Sequence, residues 1–262
     1  MNRQKYGPWA LVTGASDGIG KALAENIAAC GSSVVLVARG EDKLEVLASD
    51  LRAAHGVDTM VIVADLADPV AVARVEGLTA HLDIGLVVLA AGFGTTGTIL
   101  ETALSDELAL IAVNITAVTQ LAHTFAARLA ARGRGGLILF GSIVGWQGVP
   151  GQANYSASKA YVQSLAEALH DDLKPRGVDV LSVAPGPVAS GFGSRAGLSM
   201  NSATTPEVVA DAALSALGRR ATVIPGVKGK FLTAALTPLP RRVRSRILGK
   251  VIAGMRTPAK VS

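Results

Sequence analysis

The chain has 262 residues, half of them apolar, a net charge of +5 and one cysteine, Cys30. That length and apolar share suit one large α/β domain with a sizeable core. A single cysteine excludes an intrachain disulfide and any thiol-rich metal site, which fits a reducing compartment. The charge is uneven: residues 219–262 hold eleven Lys or Arg and no Asp or Glu, leaving fourteen basic and twenty acidic residues in 1–218. Basicity confined to a tail whose only aromatic residue is Phe231 is not the pattern of a nucleic-acid reader, which sets its charge on a recognition element. No nucleic-acid partner is expected.

Short β-branched runs alternate with longer helical patterns, the signature of βαβ units and a parallel sheet. Residues 1–8 are polar and lack the apolar core of a secretory signal. Strands are predicted near 9–13, 33–38, 59–64, 85–90, 136–141 and 178–184, with a short one at 222–224. Helices are predicted near 18–30, 41–55, 69–81, 105–132, 152–174 and 206–217. The last has Thr205 as a candidate cap, Pro206 at its first position and Glu207 in its first turn. The longest apolar run, Ile84–Ala91 with Gly85 inside it, has strand length and falls short of the ~18 residues of a membrane span. A cytoplasmic protein is expected. Right-handed crossovers would give a single Rossmann-type, doubly wound parallel sheet of about seven strands, helices on both faces. The Gly-, Ser- and Ala-rich stretch 186–204 reads as a mobile loop over the site. Residues 1–226 form the predicted Rossmann-type domain. Residues 227–262, broken by Pro238 and Pro240, form a basic helical extension packed on the domain or on a partner.

Directly after the first strand stands Thr13-Gly14-Ala15-Ser16-Asp17-Gly18-Ile19-Gly20, opening a helix. Gly14 permits a tight turn, Gly18 lets the backbone approach a pyrophosphate, and Gly20 allows close helix–strand packing. The helix N-terminus offers free N–H groups and a positive dipole to the anion. Further on, Tyr155 and Lys159 stand four residues apart, so in a helix they share one face. A free tyrosine is a weak acid-base catalyst at neutral pH. A neighbouring cation favours the phenolate and is expected to lower the Tyr155 pKa.

Together these motifs resemble the short-chain dehydrogenase/reductase family over about residues 9–224. The matching positions are Thr13-Gly14-x-x-x-Gly18-x-Gly20, Asn114, Ser142, Tyr155-x-x-x-Lys159 and Pro185-Gly186-Pro187-Val188. The resemblance implies a Ser-Tyr-Lys-Asn active site of Ser142, Tyr155, Lys159 and Asn114, with no metal. Tyr155 would act as general acid in reduction and base in oxidation. Lys159 would depress its pKa and bind the nicotinamide ribose, and Ser142 would hold the substrate carbonyl oxygen. Asn114 would hold a water linking Lys159 to solvent.

The same resemblance places the coenzyme against Gly14, Ser16, Asp17, Gly18, Ile19, Gly20, Arg39, Asp65, Leu66, Ala91, Gly92, Tyr155, Lys159, Pro185, Gly186, Val188 and Ser190. At the end of the second strand, Ala38-Arg39 replaces the acid that would bind a ribose 2′-hydroxyl. A guanidinium there suits a 2′-phosphate, so NADP(H) is expected over NAD. Asp17, within the glycine loop, runs against that preference. A departure from the family pattern lies after the fourth strand, where Leu89-Ala90-Ala91-Gly92 puts Ala90 in place of a bracing Asn.

The glycine loop and the second strand resemble the branch of hydroxysteroid dehydrogenases and 3-ketoacyl reductases. An apolar ketone or alcohol would suit a pocket containing Val144, Trp146, Val149, Phe192 and Leu198. Within 239–252, apolar residues fall at near-helical spacing and Arg241, Arg242, Arg244, Arg246 and Lys250 take other positions. Such a helix packs on the domain or lies on a membrane surface. The resemblance also implies a homodimer or homotetramer through the long helices. Two alternatives stand beside an NADPH-dependent carbonyl reductase. One is a dinucleotide-binding redox sensor without catalysis. The other is a sugar-nucleotide epimerase, for which the ~75 residues after Pro185 are few.

Overall fold

The computed structural model describes residues 2–199 and 203–256. The chain begins with α1 (Arg3–Tyr6), β1 (Trp9–Thr13), α2 (Gly18–Ala29), β2 (Ser33–Ala38), α3 (Glu41–His55), β3 (Thr59–Val63) and α4 (Pro69–Leu78). It continues with β4 (Ile84–Leu89), α5 (Leu104–Ile111), α6 (Val118–Arg132), β5 (Gly135–Phe140), α7 (Ala153–Leu173) and β6 (Val178–Val183). α8 (Gly191–Arg195), α9 (Pro206–Ala216), β7 (Thr222–Val223), α10 (Val227–Leu236) and α11 (Arg241–Met255) follow.

Local chemistry explains several boundaries. Asp68 accepts a hydrogen bond from Val70 N at 2.9 Å and Pro69 opens α4, since a capped first turn tolerates a missing N–H. α3 ends where Gly56 turns left-handed at φ 63°. Thr205, by contrast, makes no side-chain cap on α9; Pro206 and Glu207 mark that start without it.

The seven strands run parallel in the order β3-β2-β1-β4-β5-β6-β7. The order reverses between β1 and β4, and in such sheets ligands bind in the crevice at that switch point, beyond the carboxyl ends of the strands. Because side chains alternate across a strand, each strand feeds two cores. Val12, Val34, Leu36, Val88 and Ile138 face α2, α3 and α9, with Leu23, Ile27, Leu44 and Val209. Leu11, Val35, Val37, Val87 and Leu137 face α4, α6 and α7, with Val72, Leu121, Phe125 and Val162. Fully burying one such Leu or Val side chain stabilises the fold by about 1.5–3 kcal/mol.

α5 and α6 are one continuous helix interrupted by a π-helical turn at Ala112–Ala117. By length and hydropathy residues 104–132 could cross a membrane, but Ala117, Leu121, Phe125 and Leu129 are buried in the second core. The stretch predicted as a mobile loop is more ordered than its composition suggested. Residues 191–195 form α8, and Ala189 and Thr204 are tied through backbone bonds of 2.9 and 3.0 Å to Thr204 and Pro187. Residues 200–202 of that loop lie outside the described residues.

A third apolar cluster sits beyond the carboxyl edge of the sheet. It joins Leu110, Ile143, Val144, Val149, Tyr155 and Leu198 to Leu236 of α10 and to Leu248 and Ile252 of α11. The apolar stripe of the basic helix is thus turned onto the domain. Its far end is fastened as well: Ser199 N donates to Met255 O at 2.7 Å, and Arg256 pairs with Glu101 at 3.3 Å.

Candidate active site

A cavity of about 620 Å³ opens at the switch point between β1 and β4. Of the expected coenzyme contacts, Gly14, Ser16, Asp17, Gly18, Ile19, Gly20, Arg39, Asp65, Leu66, Ala91, Gly92 and Ser190 line it. Lining residues do not include Pro185, Gly186 or Val188, nor the buried Asn114, Ser142, Tyr155 and Lys159. The glycine loop is built to hold something close to the backbone. Gly14 and Gly18 have φ of 69° and 53°, which disfavours a side chain. A Cβ on Gly20 would fall on the Gly14 carbonyl, and one on Gly18 would lie 2.8 Å from Ser190 Cβ. A cradle of this size, with bare backbone at one end and cations at the other, fits a dinucleotide.

At the end of that cavity beyond β2, Arg39 is joined by Lys43, which sequence reasoning missed. Lys43 stands in the first turn of α3, four residues after Arg39, a spacing that was there to be read. Glu41 and Asp42 occupy the same turn but do not line the cavity. Asp17 turns elsewhere: its Oδ2 accepts from Gly191 N at 3.1 Å and pairs with Arg195 at 3.3 Å. Its negative charge is therefore engaged by α8, and Arg195 becomes a further cation at the cavity wall.

The loop after β4 keeps its shape without the amide that Ala90 lacks. Thr13 Oγ1 accepts from Ala91 N at 3.1 Å and donates to Val88 O at 3.4 Å. Asn114 holds Phe93, two residues on, at both ends, donating to its O at 2.9 Å and accepting from its N at 3.1 Å. Its second amide hydrogen reaches Ser158 Oγ at 3.2 Å. The Asn114 side chain thus braces the loop. The π turn that carries it adds a residue to the helical circuit, an irregularity common at functional sites. Lys159 and Asn114 still converge: a Cβ on Gly92 would lie 3.1 Å from Asn114 Oδ1 and 3.5 Å from Lys159 Nζ.

Tyr155 and Lys159 lie on one face of α7 and both are buried. Lys159 Nζ donates to Phe140 O, the last residue of β5, at 2.9 Å, and stands 5.7 Å from the centre of the Tyr155 ring. Ser142 starts the 3-10 turn Ile143–Trp146, donates to Pro185 O at 3.2 Å and accepts from Val144 N at 3.4 Å. Phe192 of α8 packs on the Tyr155 ring with centroids 5.5 Å apart.

The electrostatics correct one expectation. Burial pushes the Tyr155 phenol up, and only the influence of the Ser142 hydroxyl pulls it the other way. Burial also holds the Lys159 ammonium down at about 8. Desolvation disfavours both charged forms, and the amine, spent on Phe140 O, does not offset it at the phenol. Tyr155 is held as a neutral acid. The predicted lowering of its pKa is absent from this geometry.

Around these groups lie the apolar residues expected near a substrate: Val144, Val149 and Leu198 buried, Trp146 and Phe192 partly so, all in the third cluster. Among the described residues no group of His, Cys, Asp and Glu could hold a metal.

Comparison with known proteins agrees with this architecture. The family model for short chain dehydrogenase matches residues 8–199. A 7beta-hydroxysteroid dehydrogenase from Collinsella aerofaciens is 35% identical over 235 residues, covering 87% of this chain and 89% of that protein. A solved structure described as giving insight into 7beta-hydroxysteroid dehydrogenase stereoselectivity superposes with a TM-score of 0.88 at 33% identity, covering 94% of this chain and 98% of the other. A short-chain dehydrogenase from Sphingobium yanoikuyae in complex with NADPH does so at 0.81 and 32% identity, covering 97% and 98%. With its switch-point cavity and buried tyrosine-lysine pair, the chain belongs to the short-chain dehydrogenase family of oxidoreductases.

Proposed function

We propose that this protein is an NADPH-dependent reductase, reversibly a dehydrogenase, of a bulky apolar ketone and its secondary alcohol, of hydroxysteroid type. One observation carries the reading: a buried tyrosine, with Lys159 on the same helix face, sits beside a cavity that fits a dinucleotide and within an apolar cluster. The bound coenzyme would supply the hydride. The protein's own groups do the rest. Ser142 would turn its hydroxyl from Pro185 O to the substrate oxygen and stabilise the charge that develops there. Tyr155 would give its proton to that oxygen. Lys159 would hold the ribose and restore the proton. Asn114 would fix Phe93 and Gly92, and with them the cavity wall facing Lys159.

Preference for NADPH is supported by Arg39 and Lys43 at the cavity's far end. Asp17, the residue that argued against it, is occupied by Gly191 and Arg195. An apolar substrate is supported by the third cluster, and a hydroxysteroid in particular by the names of the similar proteins. The buried stripe of α11 favours a packed tail over a membrane-surface helix. Exposed Leu104, Leu108 and Ile111 of α5 and Tyr161 of α7 support a homo-oligomer through these helices.

The test is steady-state reduction of 7-oxo-steroids and other bulky ketones. The reading expects turnover with NADPH and at least about tenfold lower kcat/KM with NADH. Coenzyme binding without turnover of any ketone or alcohol, with either coenzyme, would replace it with the sensor reading.

A further inference from the structure

Of the basic residues on α11, Arg241, Arg242, Arg246 and Lys250 are exposed. Arg244 alone is drawn inward. It stands four residues before Leu248, so both project from one face of the helix. Together they wall a second cavity of about 300 Å³, closed on its other sides by α10 and by the turn after β5. The polar lining is Gln147, Thr233, Thr237 and Arg244; the apolar lining is Ile143, Trp146, Leu232, Leu236 and Leu248. Thr237 Oγ1 is spent on Thr233 O at 2.8 Å, and Gln147 Nε2 on Ile143 O at 3.1 Å. Arg244 Nε and Thr233 Oγ1 are buried without a hydrogen-bond partner among the described residues. Among the described residues no Asp or Glu lines the cavity, and residues 219–262 contain neither.

A buried donor on a charged group costs free energy that an acceptor would recover, and an anion would recover most of it. Guanidinium is well suited to carboxylate and sulfate oxygens. The cavity also borders the catalytic groups. Ile143 follows Ser142 directly, and Ile143, Trp146, Leu236 and Leu248 belong to the cluster that contains Tyr155. A molecule with its ketone at Tyr155 and an apolar body along this cluster would deliver its remote end to Arg244.

We propose that this cavity is an anion-binding subsite, in which Arg244 and Thr233 receive the carboxylate or sulfate at the far end of an elongated apolar substrate. Its role as a substrate subsite rests on the reductase reading; its capacity to bind an apolar anion does not. α11 then selects the substrate's charge as well as covering its body. Such a site discriminates strongly, because an uncharged analogue leaves the buried donors unpaired.

Trp146 lines the cavity, and only Trp9 competes with it as a fluorophore. In a Trp9→Phe background, decanoate and decanol are titrated with the full-length protein. Decanoate is expected to bind at least about tenfold more tightly. Arg244→Met should erase that preference, and Arg244→Lys should keep most of it. Equal affinity of the two ligands for the parent protein would overturn the site, with no variant needed and no turnover involved. Retained preference in Arg244→Met would overturn it too. A second arm compares KM for a 7-oxo-steroid acid and its methyl ester. Arg244→Met should raise KM for the acid several-fold and leave the ester and NADPH unchanged. If only the decanoate preference falls, the cavity binds anions but is not where the substrate's end lies.

Discussion

The two walls of the site are built from different material. On the coenzyme side the chain uses backbone: Gly14, Gly18 and Gly20 stand where a Cβ would meet another main-chain or side-chain atom, and Thr13 and Asn114 hold the β4 loop through its N–H and C=O groups. On the substrate side it uses side chains from distant segments, Ile143 and Trp146 from the turn after β5, Phe192 from α8, Leu236 and Leu248 from the tail. Backbone walls tolerate little change and fit a fixed ligand. Side-chain walls can be exchanged, so specificity can vary on that side while the coenzyme stays the same.

The contrast can be broken at either wall. Among changes to the two walls, the largest effect is expected from Gly20→Ala, whose methyl group would collide with the Gly14 carbonyl. NADPH affinity should fall by about a hundredfold or more, measured by calorimetry, with the circular dichroism of the parent. Leu248→Ala attacks the other wall. Leu248 is 3% exposed, and truncation of a buried leucine costs about 2–5 kcal/mol. A lowered melting temperature and a raised KM for apolar ketones should accompany unchanged NADPH affinity. Loss of coenzyme binding in this variant would mean that the two walls are not independent.

Arg39→Ala should weaken NADPH about tenfold and NADH by less than about twofold. A smaller effect comes from pH. A Lys159 held down at about 8 carries its charge below that value and loses it above. The kcat/KM for NADPH, which reports the free enzyme, should drop about fourfold between about pH 7 and about pH 8.5. The stability sign is the reverse. The folded pKa lies below the unfolded one, so between about 8 and about 10.5 the unfolded chain binds more protons and folding gains from rising pH. Lys159→Met should abolish that gain.

Legibility followed the same division. Strand and helix positions came from short-range signals: β1, β2 and α3 start and stop where Trp9–Thr13, Ser33–Ala38 and Glu41–His55 predicted. The glycine loop and the tyrosine-lysine pair were readable because each is a local spacing with one geometric meaning. Hidden features needed tertiary contact. Nothing near Asp17 announces Arg195, 178 positions away, and nothing near Arg244 announces the cavity it enters. Even so, the interval from Arg244 to Leu248 could have assigned the arginine to the inner face. The Tyr155 pKa was misjudged for a related reason: spacing gave the neighbour, but burial of both groups decided the balance.

Everything proposed for catalysis depends on the Tyr155 hydroxyl, and removing that one atom is the most direct test. In Tyr155→Phe, single-turnover oxidation of NADPH by a bound ketone should slow by about a thousandfold, within the range of a lost general acid, while NADPH affinity stays within about twofold. A variant that binds NADPH normally and keeps more than about a tenth of the parent's single-turnover rate would contradict the account.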